Sequence, residues 1–239
     1  MPQMSREKRV AIVQSNYVPW RGYFDLIGSV DEFVLLDDAQ YTRRDWRNRN
    51  RIKTPQGARW MTIAVQVSGR YTQSIYDTLV ADADWPERHW DLLRQQYAQA
   101  AGFGDAGEFV AELYASVPGL RLTDINRHFL GRIAAHLGIP TPITLSCDYD
   151  PQGTKSERLL DLCLKAGATE YVSGPAARAY LDEALFHDQG IGVSWFGYGP
   201  YAEYDQVHPP FDPYVSILDL LLCTGDEAAS FVRQPQRAL

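Results

Sequence analysis

Two kinds of apolar pattern alternate along the chain: short continuous runs and longer stretches with a helical repeat. Val10-Ala11-Ile12-Val13 is a continuous run, as expected of a strand buried on both faces. It meets a polar and aromatic turn, Gln14 to Trp20, and then a short helical pattern through Tyr23, Phe24, Leu26 and Ile27. Phe33-Val34-Leu35-Leu36 follows as a second buried strand. Strand, turn, helix and strand in so short a span predict a βαβ unit with a parallel pair, the start of a doubly wound sheet. Ligands bind such sheets at the carboxyl ends of the strands. That rule places Gln14 to Tyr17, and Asp37, Asp38 and Gln40, at one edge.

Trp60 to Val67 alternates as a further strand, with Thr54-Pro55-Gln56-Gly57 as the turn before it. The middle of the chain reads as helical. Asp84 is the expected N-cap of a helix with its apolar stripe at Leu92, Leu93 and Tyr97, ending near Gly102. A second helix is expected from Glu108 to Ser116. A third runs from a cap at Thr123 through Ile125, Phe129, Ile133 and Leu137 to Gly138. After Pro140 the alternation returns, with strands at Ile143–Leu145, Tyr171–Ser173 and Ile191–Phe196, a helix at Ser156–Lys165 and a last helix opening at Ser216. No internal repeat or linker interrupts this order. The expectation is one α/β domain over 1–239, Rossmann-like with a mostly parallel sheet, and a helical insertion at about 84–140.

Composition narrows the classes. No stretch approaches the roughly 20 apolar residues of a membrane span, and no signal-peptide pattern opens the chain, so no membrane partner is expected. Cys147, Cys163 and Cys223 are far apart and lack CxxC spacing, which gives neither a disulfide framework nor a zinc site and fits a reducing cytoplasm. The formal charge of −7 argues against a protein-wide nucleic-acid footprint. One local exception stands out: Arg43, Arg44, Arg47, Arg49, Arg51 and Lys53 lie close together against one acid, Asp45.

From Arg47 to Lys53 the basic residues occupy every second position. An extended backbone would line Arg47, Arg49, Arg51 and Lys53 along one face, and Asn48, Asn50 and Ile52 along the other. Such a cationic face suits phosphate or carboxylate, with Asp37 or Asp38 beside it to act as base or orient an arginine. A solvated edge that resists sheet-to-sheet pairing is the plainer alternative. The turn Gln14 to Tyr23 puts amides, Tyr17 and a helix N-terminus where an anionic group would sit. Neither GxGxxG nor GxxxxGK[ST] is present.

These segments resemble those of the WbqC-like family. Val10 to Tyr23 is similar to the family form I-x-Q-P-x-Y-x-P-x-x-G-Y-F, with Ser15 where proline is usual. Phe33 to Ile52 is similar to F-V-x-x-D-D-V-Q-F-x-x-x-x-W-x-N-R-N-x-I, with Ala39 where valine is usual. Tyr171 to Pro175 and Val215 to Leu221 complete the match. The resemblance implies a bacterial enzyme of surface-polysaccharide or specialised-metabolite biosynthesis, acting on amino sugars or sugar nucleotides, with aminoacyl (for example glycyl) transfer as the implied reaction. A more distant likeness is to nucleotidyltransferase-like folds. Their His-x-Gly-His turn has its counterpart at Pro19 to Tyr23, without the histidines, and their late Arg-terminated motif at Ser173 to Arg178.

Thr154-Lys155-Ser156-Glu157 opens a helix after Gly153, and is read as a cap in preference to an anion site. Ser173, Gly174 and Arg178 end a strand at the ligand edge and form the favoured distant contribution. His208 is loop-borne beside aromatics and is a candidate acid or base. Tyr198, Tyr201, Tyr204 and Tyr214 cluster in a Gly- and Pro-rich stretch, read more as a cover than as a stacking surface.

The combined expectation is an acyl or aminoacyl transferase whose partner is an anionic small molecule. Asp37 and His208 would carry the proton transfer. Gln14, Asn16, Tyr17, Tyr23, Asp38, Gln40, Asn48, Arg49, Asn50, Arg51, Lys53, Ser173, Gly174 and Arg178 would bind substrate, and no metal is expected. The donor would be activated as an adenylate, with ATP, or as an aminoacyl-tRNA, because a free carboxylate does not acylate amines unaided. ATP-dependent nucleotidyl transfer, and non-catalytic binding of a sugar nucleotide or nucleic acid, are the alternatives.

Overall fold

The computed structural model describes residues 7–232. Five parallel strands form the central sheet: β1 (Arg9–Val13), β2 (Glu32–Leu35), β5 (Ile143–Leu145), β6 (Glu170–Ser173) and β7 (Gly192–Trp195). Their order is β5-β2-β1-β6-β7. Two further strands, β3 (Arg49–Thr54) and β4 (Gly57–Thr62), pair antiparallel as a separate hairpin.

The period-2 geometry of a strand explains why the runs are continuously apolar. Ala11, Phe33, Leu35 and Val172 face one buried cluster, while Val10, Ile12, Val34 and Tyr171 face another. Helix α1 (Arg21–Gly28), which connects β1 to β2, contributes Phe24, Leu26 and Ile27 to the first cluster. Helices α5 (Lys155–Lys165) and α6 (Glu183–Asp188) contribute Leu162 and Phe186 to the second. Helices on both faces of a mostly parallel sheet make this an α/β, Rossmann-like fold.

Three helices precede β5: α2 (Trp85–Tyr97), α3 (Phe103–Ala115) and α4 (Leu122–His136). With α7 (Ile217–Thr224) they enlarge the first cluster through Leu93, Val110, Phe129 and Leu221. A short α8 (Ala228–Val232) follows.

Several local expectations are corrected. The strand expected over Trp60–Val67 begins earlier, ends at Thr62, and belongs to the hairpin, not the parallel sheet. Its alternation misleads because Ile63 packs in the core from a segment that has left the ladder. Thr123 lies one residue inside α4, and its hydroxyl reaches Asp37 instead of capping the helix. Asp84 and Thr154 stand at N-cap positions, yet neither side chain makes a cap bond. The second helix starts at Phe103, and α6 had no expected counterpart.

Candidate functional site

The strand order reverses direction at β1. From β1 the chain winds outward through β2 to β5, then returns to the other side of β1 with β6 and β7. Such a reversal leaves a crevice at the carboxyl edge. The pairing also changes at this point. β1 and β2 stay in register through Val13↔Leu35, and β6 and β7 through Ser173↔Trp195, but β1 and β6 pair only through Arg9↔Glu170 and Val10↔Tyr171. Beyond that point the regular ladder between the two central strands stops.

A cavity of about 480 Å³ lies at the carboxyl ends of these strands. Val13 and Gln14 wall it from β1, Ser173 and Gly174 from β6, and Lys155 and Ser156 from the first turn of α5. Tyr198, whose hydroxyl lies 3.4 Å from where a side chain on Gly174 would begin, also lines it. The first turn of α5 has no side-chain cap, so its backbone N–H groups and Lys155 present positive potential to the wall. Arg158, on the same helix, is held by Asp38, which also accepts from Ser146 Oγ.

The turn after β1 is held by side chains from several elements. Arg47 donates to the Gln14 and Ser15 carbonyls and to Asn16 Oδ1. Tyr23 donates to Gln14 O at 3.0 Å. Asp37 Oδ1 accepts from Ser15 N–H at 2.8 Å and Oδ2 from Thr123 at 2.7 Å. Asn126 donates to Ser15 Oγ, Asn50 to the Tyr17 and Val18 carbonyls, and Ser216 to Val18 O. Val18 adopts a left-handed φ of 37°, costly for a β-branched residue and sustained here by these bonds. The turn is therefore pre-set and does not depend on a ligand to shape it.

This accounts for many of the residues expected to bind substrate. Gln14, Ser173 and Gly174 reach the cavity as expected. Tyr23, Asp37, Asn48 and Asn50 are turned into the protein and hold the turn or the hairpin; Asn48 bridges Tyr41 and Ile63 O. Tyr17 is fully buried, bonded to His89 Nδ1 and to the Tyr114 hydroxyl. Burial pushes the Asp37 carboxyl above the usual carboxylate range, against the bonds from Ser15 and Thr123 and the Arg47 charge. Both its oxygens are engaged, and it does not line the cavity. His208 Nε2 lies 3.1 Å from Gln96 O at the end of α2, and Arg178 sits over the Trp195 ring at 5.2 Å. Neither is among the residues around the crevice. Gln40 Nε2 donates to Tyr71 O.

The basic run is extended as expected from Arg49 on, but its cations are engaged internally. Arg49 stacks on Trp60 with its guanidinium 4.0 Å from the ring centroid and donates to Arg44 O. Arg51 contacts Tyr214 O and Asp212, and Lys53 is buried with its ammonium on Pro210 O. The tyrosines divide. Tyr201 and Tyr204 donate to Asp25 and Asp219, tying down the late loop, while Tyr198 and Tyr214 line open space.

A second, smaller cleft of about 280 Å³ lies on the far side of the same turn, lined by Asn16, Pro19, Trp20, Trp46, Asn50 and Tyr214. Trp20 links it to the crevice, with its ring centroid 5.4 Å from that of Tyr198. From sequence, a cap is favoured over an anion site for the segment holding Lys155, and a cover over a stacking surface for Tyr198, yet both residues line the crevice. Trp20, Trp46 and Tyr180 had drawn no site assignment, and aromatic residues exposed beside a strand-end turn are the signal that would have found the first two. Among the described residues no group of three or more His, Cys, Asp or Glu is placed to hold a metal, and no helix is long and apolar enough to cross a membrane.

The molecule is thus a doubly wound α/β protein with an open crevice at its topological switch point. The chain belongs to the WbqC-like protein family, whose model matches residues 14–231. It is similar to the uncharacterized protein Rv1507c of Mycobacterium tuberculosis (strain ATCC 25618 / H37Rv), at 51% identity over 226 residues covering 95% of this chain and 98% of that protein. No solved structure matches the chain.

Proposed function

We propose that this protein is a transferase that binds a phosphate-bearing small molecule, a nucleotide or sugar nucleotide, in the crevice between β1 and β6. The observation that carries this reading is a cavity of about 480 Å³ at the carboxyl ends of those two strands, walled by the uncapped first turn of α5. Phosphate sits against that turn beside Lys155, and the ring of the ligand lies near Tyr198. Gln14, Ser173 and Gly174 supply the polar edge that orients it.

The reaction we assign is acyl or aminoacyl transfer to an amine-bearing acceptor such as an amino sugar, from an activated donor. Asp37 acts by holding Ser15 and the strand-end turn, so its part is positioning. An adenylate donor suits the geometry better than an aminoacyl-tRNA, because the arginines that would track a nucleic-acid backbone are already engaged. Adenylyl transfer from ATP is the second reading. It is favoured by the meeting of the β1 turn and Ser173-Gly174 at one cavity, and opposed by the absence of both histidines of that chemistry's turn.

Thermal shift and calorimetric titration with ATP and UDP-N-acetylglucosamine test the site, since a ligand specific to the folded state raises apparent stability. Lys155→Ala should weaken the phosphate ligand about tenfold, the loss of one charge-assisted contact. Equal affinity in Lys155→Ala, or no stabilisation by any phosphate ligand, refutes the assignment.

A further inference from the structure

We propose that the smaller cleft is a second binding site, and that its occupant is a neutral sugar ring. The assignment of the cleft stands on its own geometry; only its place in a transfer reaction rests on the function proposed above. At about 280 Å³ the cleft lies just below the range of about 300–1,000 Å³ typical of small-molecule sites, and so takes one ring.

Its walls are aromatic and partly open to solvent. Trp46 is 39% exposed and Tyr214 62%, although both rings are large and apolar. Trp20 and Tyr214 are tilted by 49° with centroids 6.1 Å apart. Trp20 and Tyr214, tilted against each other, do not sandwich a flat base, and they fit a puckered ring whose C–H bonds meet the aromatic faces while its hydroxyls point past their edges.

Charge selects in the same direction. Arg47 and Arg51 flank the cleft, which disfavours an ammonium despite the aromatic walls. Each is matched by a carboxylate, Asp45 at 3.5 Å and Asp212 at 3.8 Å, which removes the attraction for an anion. A neutral ligand is what remains. Polar capacity is small but present: the Asn50 amide is spent on backbone groups, whereas Asn16 uses its oxygen on Arg47 and keeps its NH2 to donate to a hydroxyl. Asn16 follows Gln14 by two residues, and Trp20 meets Tyr198, so the cleft and the crevice are separated by one aromatic layer. A phosphate-bearing ligand in one and a neutral sugar ring in the other would be neighbours.

The test is NMR of the 15N-labelled tryptophan indoles, with Trp20→Phe and Trp46→Phe for assignment, in the intact chain. Glucose and N-acetylglucosamine should shift the Trp20 and Trp46 signals saturably, with affinity weakened at least about tenfold in Trp46→Ala. Unchanged thermal stability and an intact response to ATP in that variant would show that the loss is local. Absence of saturable shifts up to the solubility limit overturns the proposal. So does a stronger response to AMP, which marks a base site, or to glucosamine, which marks an ammonium site. Sugar shifts that persist in Lys155→Ala while ATP binding falls support both sites; sugar shifts without any phosphate binding leave the cleft standing and remove the crevice reading.

Discussion

Acidification should weaken this protein through one buried histidine. His89 stands on α2 with its Nε2 3.2 Å from the Thr62 carbonyl, which can only accept, so Nε2 carries the ring proton. Nδ1 therefore accepts from the Tyr17 hydroxyl at 2.9 Å, and Tyr17 in turn accepts from Tyr114 at 2.7 Å. Burial holds the imidazole down, from 6.5 to about 4, while the Thr62 carbonyl pulls weakly the other way. The sign follows from linkage: between these two values the unfolded chain takes up a proton that the folded chain refuses. Stability from this group is complete above pH 6.5, declines as pH falls, and is lost below about 4. At about 1.4 kcal/mol per pH unit the full loss is about 3 kcal/mol, a sizeable part of the roughly 5–15 kcal/mol of a typical domain. Urea titrations at half-unit steps from pH 7 to 4, on the natural chain and on His89→Gln, isolate the effect. The variant should start less stable at pH 7 and fall less steeply, so that the two curves converge. Parallel curves would refute the assignment of a neutral, desolvated His89.

Asp37→Ala should cost about 2–4 kcal/mol, because it orphans the Ser15 N–H and the Thr123 hydroxyl in a dry setting. Asp37→Asn, which keeps an acceptor for Ser15, should cost less than about 1 kcal/mol by denaturant titration. If Asp37→Asn loses turnover while keeping ligand affinity, Asp37 has a chemical role and not a positioning one. A Cβ on Gly22 would meet Trp20 Cζ2 at 2.4 Å, so Gly22→Ala must displace the indole. The Trp20 indole signal should move, and sugar affinity in the cleft should drop, with phosphate binding in the crevice retained; an unmoved signal would contradict the packing of Trp20 on Gly22.

The parallel sheet was legible because its central strands are buried on both faces, and continuous runs such as Val10–Val13 leave little other reading. The hairpin was harder. Its outer strand, β4, is mostly exposed and carries Arg59 and Trp60, whereas the apolar alternation that suggests a strand continues past it through Ile63 and Val65. Spacing alone cannot say where a ladder ends when the chain stays near the core. The strand-end rule placed Gln14, Ser173 and Gly174 at the edge where the cavity lies, since it needs only strand order. It could not tell which polar residues beside those strands face outward. Asn50, Asp37 and Tyr23 carry the right groups but spend them on backbone atoms of the turn, a division that depends on neighbours distant in sequence. The cationic face was misjudged for a related reason: Arg49, Arg51 and Lys53 each find a partner from another segment.

The way the strand-end turn is fastened also bears on how the chain matures. Its clasps arrive in sequence during synthesis: Tyr23 and Asp37 first, then Arg47 and Asn50, later Asn126, and last Ser216, which reaches back across 198 positions to Val18 O. Ile217 N–H closes on Pro19 O beside it. Contacts of such long separation form late, after the loops they close have been shortened by other structure. A nascent chain still missing its final segment would hold the strands of the sheet without the finished turn.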